Sequence, residues 1–326
     1  MRAIVCENWG DPDTLQLGEL PEPKMGPGQV RIRMRAAGVN FADTVLVRGH
    51  YQEKPELPFA PGLEGAGEIL EVADDVTDFK PGDRVMAVVS AGGFAEEAVC
   101  NAATVFAMPK GMDDATAAAF PVAYGTSHLA LAHRANLQPG ETVLVLGAGG
   151  GVGLTAIECA KAMGATVVAA ASSAEKLALA ADRGADHLIN YTDDDLRAEI
   201  KKLTDGKGVD VVYDPVGGDL AQTAMRSMAW CGRFLVIGFA SGDVPQFPGN
   251  YLLVKNISIV GVYWGAYRTQ EPKVFRDGFA ELTRWWDEGK LKPHVSQVFP
   301  LADTPKALAM LEGRQSTGRL VINIDG

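Results

Sequence analysis

Apolar and polar residues alternate in two different textures along this chain, and the change falls near residue 124. Beyond it, short apolar, β-branched runs take turns with stretches that repeat apolar residues at helical spacing. The runs 142–147, 166–171, 187–190, 209–214, 233–238 and 257–262 read as buried strands. The stretches 151–163, 174–182, 193–203 and 219–228 read as helices. Strands alternating with helical crossovers predict a doubly wound parallel sheet, an α/β architecture. Before residue 120 the period is two. Val30-Arg-Ile-Arg-Met-Arg-Ala36 alternates apolar and basic residues, and Gly67-Glu-Ile-Leu-Glu-Val-Ala73 and Asp83-Arg-Val-Met-Ala-Val-Val89 are further strands. Turns such as Gly26-Pro-Gly28 and Lys80-Pro-Gly-Asp83 punctuate them, which predicts a barrel-like antiparallel domain. From about 265 the alternation stops. A helix over 274–288, a strand over 295–299, a helix over 304–312 and a strand over 319–324 are expected to rejoin the first domain. The domain boundaries are therefore 1–123 with 265–326, and 124–264 between them.

Composition changes this picture little. A chain of 326 residues has room for two cores. A net charge of −11 argues against a nucleic-acid or anionic-membrane surface, both of which call for clustered Lys and Arg. Cys6, Cys100, Cys159 and Cys231 are too far apart for zinc-finger or redox spacing and read as buried, reduced thiols. The N-terminus lacks the pattern of a signal peptide, and the longest uncharged stretch, 115–133, is broken by Pro121 and Gly125. A soluble, cytoplasmic protein is expected.

The chemistry enters at Thr142-Val-Leu-Val-Leu-Gly-Ala-Gly-Gly-Gly-Val-Gly153, between the first strand of the second domain and its helix. Glycines there let backbone N–H groups approach a pyrophosphate, and the helix N-terminus adds positive partial charge. The dinucleotide fingerprint falls on Ala148, Gly150 and Gly153, with alanine in place of its first glycine, so Gly150, Gly151, Val152 and Gly153 form the expected phosphate turn. NAD-specific domains carry an acid about 20 residues further on, at the tip of the second strand. This chain has Ser172-Ser-Ala-Glu-Lys176 instead, and Glu175 lies inside the following helix. Ser172, Ser173 and Lys176 can donate hydrogen bonds to a 2′-phosphate, which favours NADPH; the plainer reading makes Lys176 a solvated helix charge. Gly238 and Phe239 follow the fifth strand, at the carboxyl ends where ligands bind in open α/β sheets.

Several motifs span nearly the whole chain: Ala37-Gly-Val-Asn-Phe-Ala-Asp43, Pro58-Phe-Ala-Pro-Gly-Leu-Glu-Gly-Ala-Gly67, Lys80-Pro-Gly-Asp-Arg-Val85, Gly184-Ala-Asp-His-Leu-Ile-Asn-Tyr191 and Gly289-Lys-Leu-Lys-Pro-His294. In these the chain resembles the zinc-independent medium-chain dehydrogenases/reductases of the quinone oxidoreductase (zeta-crystallin-like) family. The resemblance implies a Rossmann domain beside a GroES-like β-barrel catalytic domain. It also implies a homodimer formed through the strand at 257–262. Zinc-dependent relatives carry cysteine where this chain has Asn40 and histidine where it has Leu63, and an amide and an alkyl group do not replace thiolate and imidazole. No metal is expected. The resemblance places Thr126 and the Tyr263-Trp264 segment near the nicotinamide, and Tyr191 and Arg314 near the 2′-phosphate. Tyr263 and Trp264 read equally well as core or interface aromatics. Asn40, Asp43 and Tyr51 stand at positions that line the substrate cleft in relatives. The alternatives are local turn bonding for Asn40 and Asp43 and packing against the barrel for Tyr51. The implied activity is NADPH-dependent reduction of quinones or α,β-unsaturated carbonyls. An enoyl- or acryloyl-CoA-type reductase and a non-catalytic NADPH-binding protein are the alternatives.

Overall fold

Between residues 142 and 261 the strand signals assemble into one sheet. Its strands are β1 (Thr142–Leu146), β2 (Thr166–Ala171), β3 (His187–Asn190), β4 (Val209–Asp214), β5 (Met228–Val236) and β6 (Ser258–Gly261). Their spatial order is 3-2-1-4-5-6, and every neighbouring pair is parallel. This is the doubly wound order, with its switch point between β1 and β4. Residues 143–146 of the central strand β1 are completely buried, so apolar side chains are needed on both faces. The connecting helices are α1 (Gly151–Ala162), α2 (Ala174–Asp182), α3 (Leu196–Leu203), α4 (Gly218–Arg226) and α5 (Gly249–Lys255). The structure is a computed structural model describing residues 1–325. Among the described residues no helix is long and apolar enough to cross a membrane.

The sequence pattern and the structure part company at several points. Strand β5 begins five residues before the expected 233, because its pairing with β4 is interrupted between Met228 and Arg233 and Cys231 takes a left-handed φ of 60°. The exposed, kinked middle at Trp230-Cys231 hides the first half of that strand from a periodicity reading. Helix α5 had no counterpart in the pattern; it has no fully buried residue and leaves Leu253 and Val254 exposed. The domain boundary also moves. The chain divides into Met1–Ala123 with the segment from Pro293 onward, and Tyr124–Lys292, so residues 265–292 belong to the second unit and not, as expected, to the first. The reason is the amphipathic helix α6 (Pro272–Asp287), which buries Phe275, Phe279, Leu282 and Trp285. Its Phe275 ring lies 5.2 Å from that of Trp264, three residues past the parallel sheet's last strand.

The other unit is built on the strand Gln29–Val39, whose alternation was the clearest period-two signal. It pairs antiparallel with Glu64–Val72 along one edge. The opposite edge is shared: Glu97–Asn101 pairs with its first half and Arg319–Asn323 with its second. Arg84–Val88 and Val105–Ala107 extend the sheet on one side. Val295–Pro300 extends it on the other, parallel to Arg319–Asn323. Ile32, Met34, Ile69, Val85, Phe94 and Ile322 meet in its core. A short helix, Phe41–Val47, leaves the end of the long strand.

Candidate functional site

In the second unit the glycine-rich turn is shaped by close approach. A Cβ on Gly153 would sit 2.3 Å from the Gly147 carbonyl oxygen and 2.9 Å from the Ala148 Cα, so only glycine lets α1 start this near the end of β1. Gly150 is extended and caps α1, leaving the first-turn amides of Gly151, Val152 and Gly153 without intrahelical acceptors. A helix of twelve residues with no acid in its first turn presents a positive end here. The helix is pinned from behind, since the Tyr124 hydroxyl donates to buried Glu158 of α1 at 2.6 Å.

Beside the turn lies the tip of β2. Ser173 caps α2, its Oγ accepting from the Lys176 N–H at 3.3 Å, so the hydroxyl proton is still available to donate. The stem of Lys176 lies over the turn: a Cβ on Gly149 would meet the Lys176 Cβ at 2.5 Å. Tyr191 follows β3, where its N–H donates to the Ala171 carbonyl at 3.2 Å. Thr192 next to it donates to the Ser172 carbonyl at 3.5 Å. The structure thus gathers Ser172, Ser173, Lys176 and Tyr191 at two tied strand tips, while Glu175 is exposed on α2.

At the tips of β4 and β5 two loops brace one another. Ala240 N–H donates to the Pro215 carbonyl at 3.0 Å and Ser241 N–H to the Val216 carbonyl at 2.8 Å, which holds Gly238 and Phe239 half-buried. Asp214 below them accepts from the Val216 and Gly217 amides at 2.8 and 2.9 Å. Burial pushes its pKa up and these two amides oppose the rise. Thr126 is half-buried on the helix Pro121–His128. Trp264 is buried with Phe275 and Phe279, and it fills the space that a side chain at Gly125 would need. Tyr263 is exposed. Arg314 belongs to the first unit, exposed after the helix Thr304–Glu312 with φ at 55°.

The first unit carries a buried polar cluster of Asn40, Asp43, Glu64 and Arg319. Asn40 ends the long strand and begins the helix Phe41–Val47. Its backbone N–H donates to Asp43 Oδ2 at 2.7 Å, and the Asp43 N–H returns to the Asn40 carbonyl at 3.0 Å. The Asn40 amide is engaged elsewhere. Its Nδ2 donates to Glu64 Oε1 at 2.8 Å, and its Oδ1 accepts from Arg319 Nη1 at 2.9 Å. Arg319 Nη2 donates to Glu64 Oε1, and the Val122 N–H donates to Glu64 Oε2 at 2.7 Å. Gly38 makes room for this: a Cβ there would lie 2.5 Å from both Glu64 Oε1 and the Ala118 carbonyl. Burial lifts the Asp43 carboxyl to about 8, with the Glu64 charge adding to the rise and the Asn40 amide and Arg319 opposing it. Burial likewise pushes Glu64 up against the pull of Arg319. Tyr51, four residues beyond the helix, is half-buried and packs on the unit's core. Leu63 is buried in the same core. Among the described residues no three His, Cys, Asp or Glu side chains form a metal-binding group.

Sequence reading did not single out Arg319 or the role of Glu64. Glu64 was visible only as the acid following Leu63. Arg319 was an isolated charge opening an apolar strand, a pattern that also describes an ordinary solvated strand end.

A parallel sheet with a glycine turn at its switch point, in one chain with an antiparallel unit holding a buried polar cluster, defines a nucleotide-dependent oxidoreductase class. Family models agree: residues 26–110 match the alcohol dehydrogenase GroES-like domain, and residues 151–281 match the zinc-binding dehydrogenase model. The quinone oxidoreductase-like protein 2 of Rattus norvegicus is 42% identical over 324 residues, covering 99% of this chain and 92% of that protein. Its homolog from Nematostella vectensis is 41% identical, covering 99% and 88%. The Escherichia coli quinone oxidoreductase, whose structure is complexed with NADPH, superimposes with a TM-score of 0.91 at 29% identity, covering 99% and 100% of the two chains. The chain belongs to the quinone oxidoreductase-like family of medium-chain dehydrogenases/reductases, and is an oxidoreductase of that class.

Proposed function

We propose that this chain is an NADPH-dependent, zinc-independent reductase of quinones and α,β-unsaturated carbonyl compounds, working as a cytoplasmic homodimer. The observation that carries the cofactor reading is the tip of β2, where Ser172, Ser173 and Lys176 stand beside the glycine turn and the nearest acid, Glu175, is an exposed residue of α2. Donors suit a 2′-phosphate, whereas a ribose diol calls for a carboxylate. The turn fits the rest of the nucleotide, because Gly153 and Gly150 leave backbone surface where side chains would otherwise stand. Gly150, Gly151, Val152 and Gly153 would hold the pyrophosphate. Ser172, Ser173, Lys176, Tyr191 and Arg314 would hold the 2′-phosphate. Thr126, Gly238, Phe239 and the backbone at Tyr263-Trp264 would meet the nicotinamide end. NADPH, when bound, supplies the hydride that an electron-poor carbon or quinone takes up.

The protein's own residues then have to meet the charge that develops on the acceptor oxygen. Tyr51 is the donor we assign to that oxygen, since its phenol can hydrogen-bond an oxyanion and deliver a proton. Asn40 and Asp43 act with it by shaping the segment that leads to it. Zinc independence rests on the donor set: Asn40 is an amide already held by Glu64 and Arg319, and Leu63 is a buried alkyl group. The names of the relatives support a quinone acceptor. The test is oxidation of NADPH and NADH, followed by absorbance, with a series of quinones, enones and enoyl-CoAs, alongside elemental analysis of the protein. Turnover with quinones or enones, preference for NADPH and less than stoichiometric zinc are expected. Preference for NADH, turnover confined to CoA esters, or one tight zinc per chain would each contradict the corresponding part.

A further inference from the structure

The Asn40 amide is wired at both ends to groups of opposite character. Arg319 can only donate, and it meets Oδ1 at 2.9 Å. Glu64 receives three donors: Asn40 Nδ2 at 2.8 Å, Val122 N–H at 2.7 Å and the Arg319 guanidinium. Such a carboxylate is an acceptor throughout. Turning the amide over would set an NH2 group against a guanidinium and an oxygen against a carboxylate. The cluster therefore admits one orientation. The second Nδ2 proton is directed at the Gly38 carbonyl at 3.4 Å, so both donors are committed inside the unit. Asn40 has no proton left to offer a substrate carbonyl.

The lock has a mechanical consequence. Asn40 is the residue from which the helix Phe41–Val47 starts, with Asp43 gripping its backbone N–H at 2.7 Å. The far end of the same helix is held by Arg48, which reaches Asp11 at 2.8 Å and also binds Glu312. Tyr51 lies three residues past that second anchor. We propose that Glu64 and Arg319 are positioning residues: they fix the polarity of the Asn40 amide and, through the helix it begins, the placement of Tyr51. This rests on the reductase reading above, in which Tyr51 serves the acceptor oxygen.

Variants at both ends of the amide test it. Asn40→Asp keeps the shape but sets an oxygen against Glu64 where an N–H stood. Arg319→Met removes the donor at Oδ1, whereas Arg319→Lys keeps a cationic donor there. Asn40→Asp and Arg319→Met are each expected to lower kcat/KM for the quinone or enone acceptor about tenfold or more, with the NADPH dissociation constant unchanged. Arg319→Lys is expected to stay within about threefold of the wild type, a rescue that loss of bulk structure does not produce. Thermal unfolding of the same four proteins gives the comparison without turnover, and Arg319→Lys should keep most of the Tm that Arg319→Met loses. Wild-type kcat/KM in Asn40→Asp overturns the proposal, as does an Arg319→Lys variant no better than Arg319→Met in both readouts. A wild-type protein that oxidises NADPH with no acceptor overturns the reductase reading alone, and the Tm comparison still decides whether the amide is locked.

Discussion

Lys176 and Asp43 carry predictions that can be made one side chain at a time. Lys176 lies over the glycine turn with its stem against Gly149. Removing a charge-assisted hydrogen bond to a phosphate costs about 1.5–3 kcal/mol, so Lys176→Ala should raise the KM for NADPH roughly tenfold or more and leave that for NADH nearly unchanged. An equal effect on both cofactors would make Lys176 a general support of the turn. Asp43 bears on pH. Burial holds its carboxyl at about 8 in the folded protein, against about 3.9 in an unfolded chain. The folded state keeps a proton that the unfolded chain releases, so this contribution to stability is complete below about pH 4 and drains away as the pH rises through about 8. Asp43→Asn stays neutral and its amide oxygen can still accept the Asn40 N–H. Its Tm should match the wild type in acid and exceed it near pH 9, and parallel Tm–pH curves would contradict a protonated Asp43. Ser172, Ser173 and Lys176 were legible as a group because they are neighbours in sequence. Arg319 was not, because its partner Glu64 lies 255 residues away and no local pattern joins them.

Elements were easier to read than side chains, and the reasons are visible in particular ones. Strands β1 and β2 follow their apolar runs, since a parallel strand buried on both faces has little room for polar residues. Strand β5 is interrupted at exposed Trp230 and Cys231, where the backbone turns left-handed, and its apolar run marks only its second half. Helix α6 was recognised as a helix but assigned to the wrong unit, because amphipathicity says that a face is buried and not against what. The glycine turn joins an element boundary to a function. Gly153→Ala would drive a methyl group to 2.3 Å from the Gly147 carbonyl and force α1 away from β1. Overpacking of this kind costs about 1–3 kcal/mol. A lower Tm together with an NADPH affinity weakened at least about tenfold is expected, the latter followed by cofactor fluorescence. Unchanged affinity would show that the phosphate site does not depend on the tight approach.

For the molecule as a whole, strand β6 closes one end of the parallel sheet's order. Trp230, Leu253 and Val254 stand exposed on the neighbouring strand β5 and helix α5. An uncovered edge beside apolar side chains is a liability that proteins remove by pairing. Sedimentation is expected to report a dimer at micromolar concentration, and Val260→Pro, which puts a proline in the edge strand, should yield monomers. A monomeric wild type would rule this assembly out. The polar cluster reaches further than its few ångströms. Glu64 is synthesised 255 residues before Arg319, and at about 5–20 residues per second the interval between them is on the order of ten to fifty seconds. The continuous unit Tyr124–Lys292 is complete in the meantime, while the unit that contains the N-terminus still lacks its final strand and its buried counter-charge. A chain interrupted between residues 292 and 319 would therefore carry the whole of the parallel-sheet unit and an antiparallel unit without its counter-charge. The unit begun before the other is the one that settles after it.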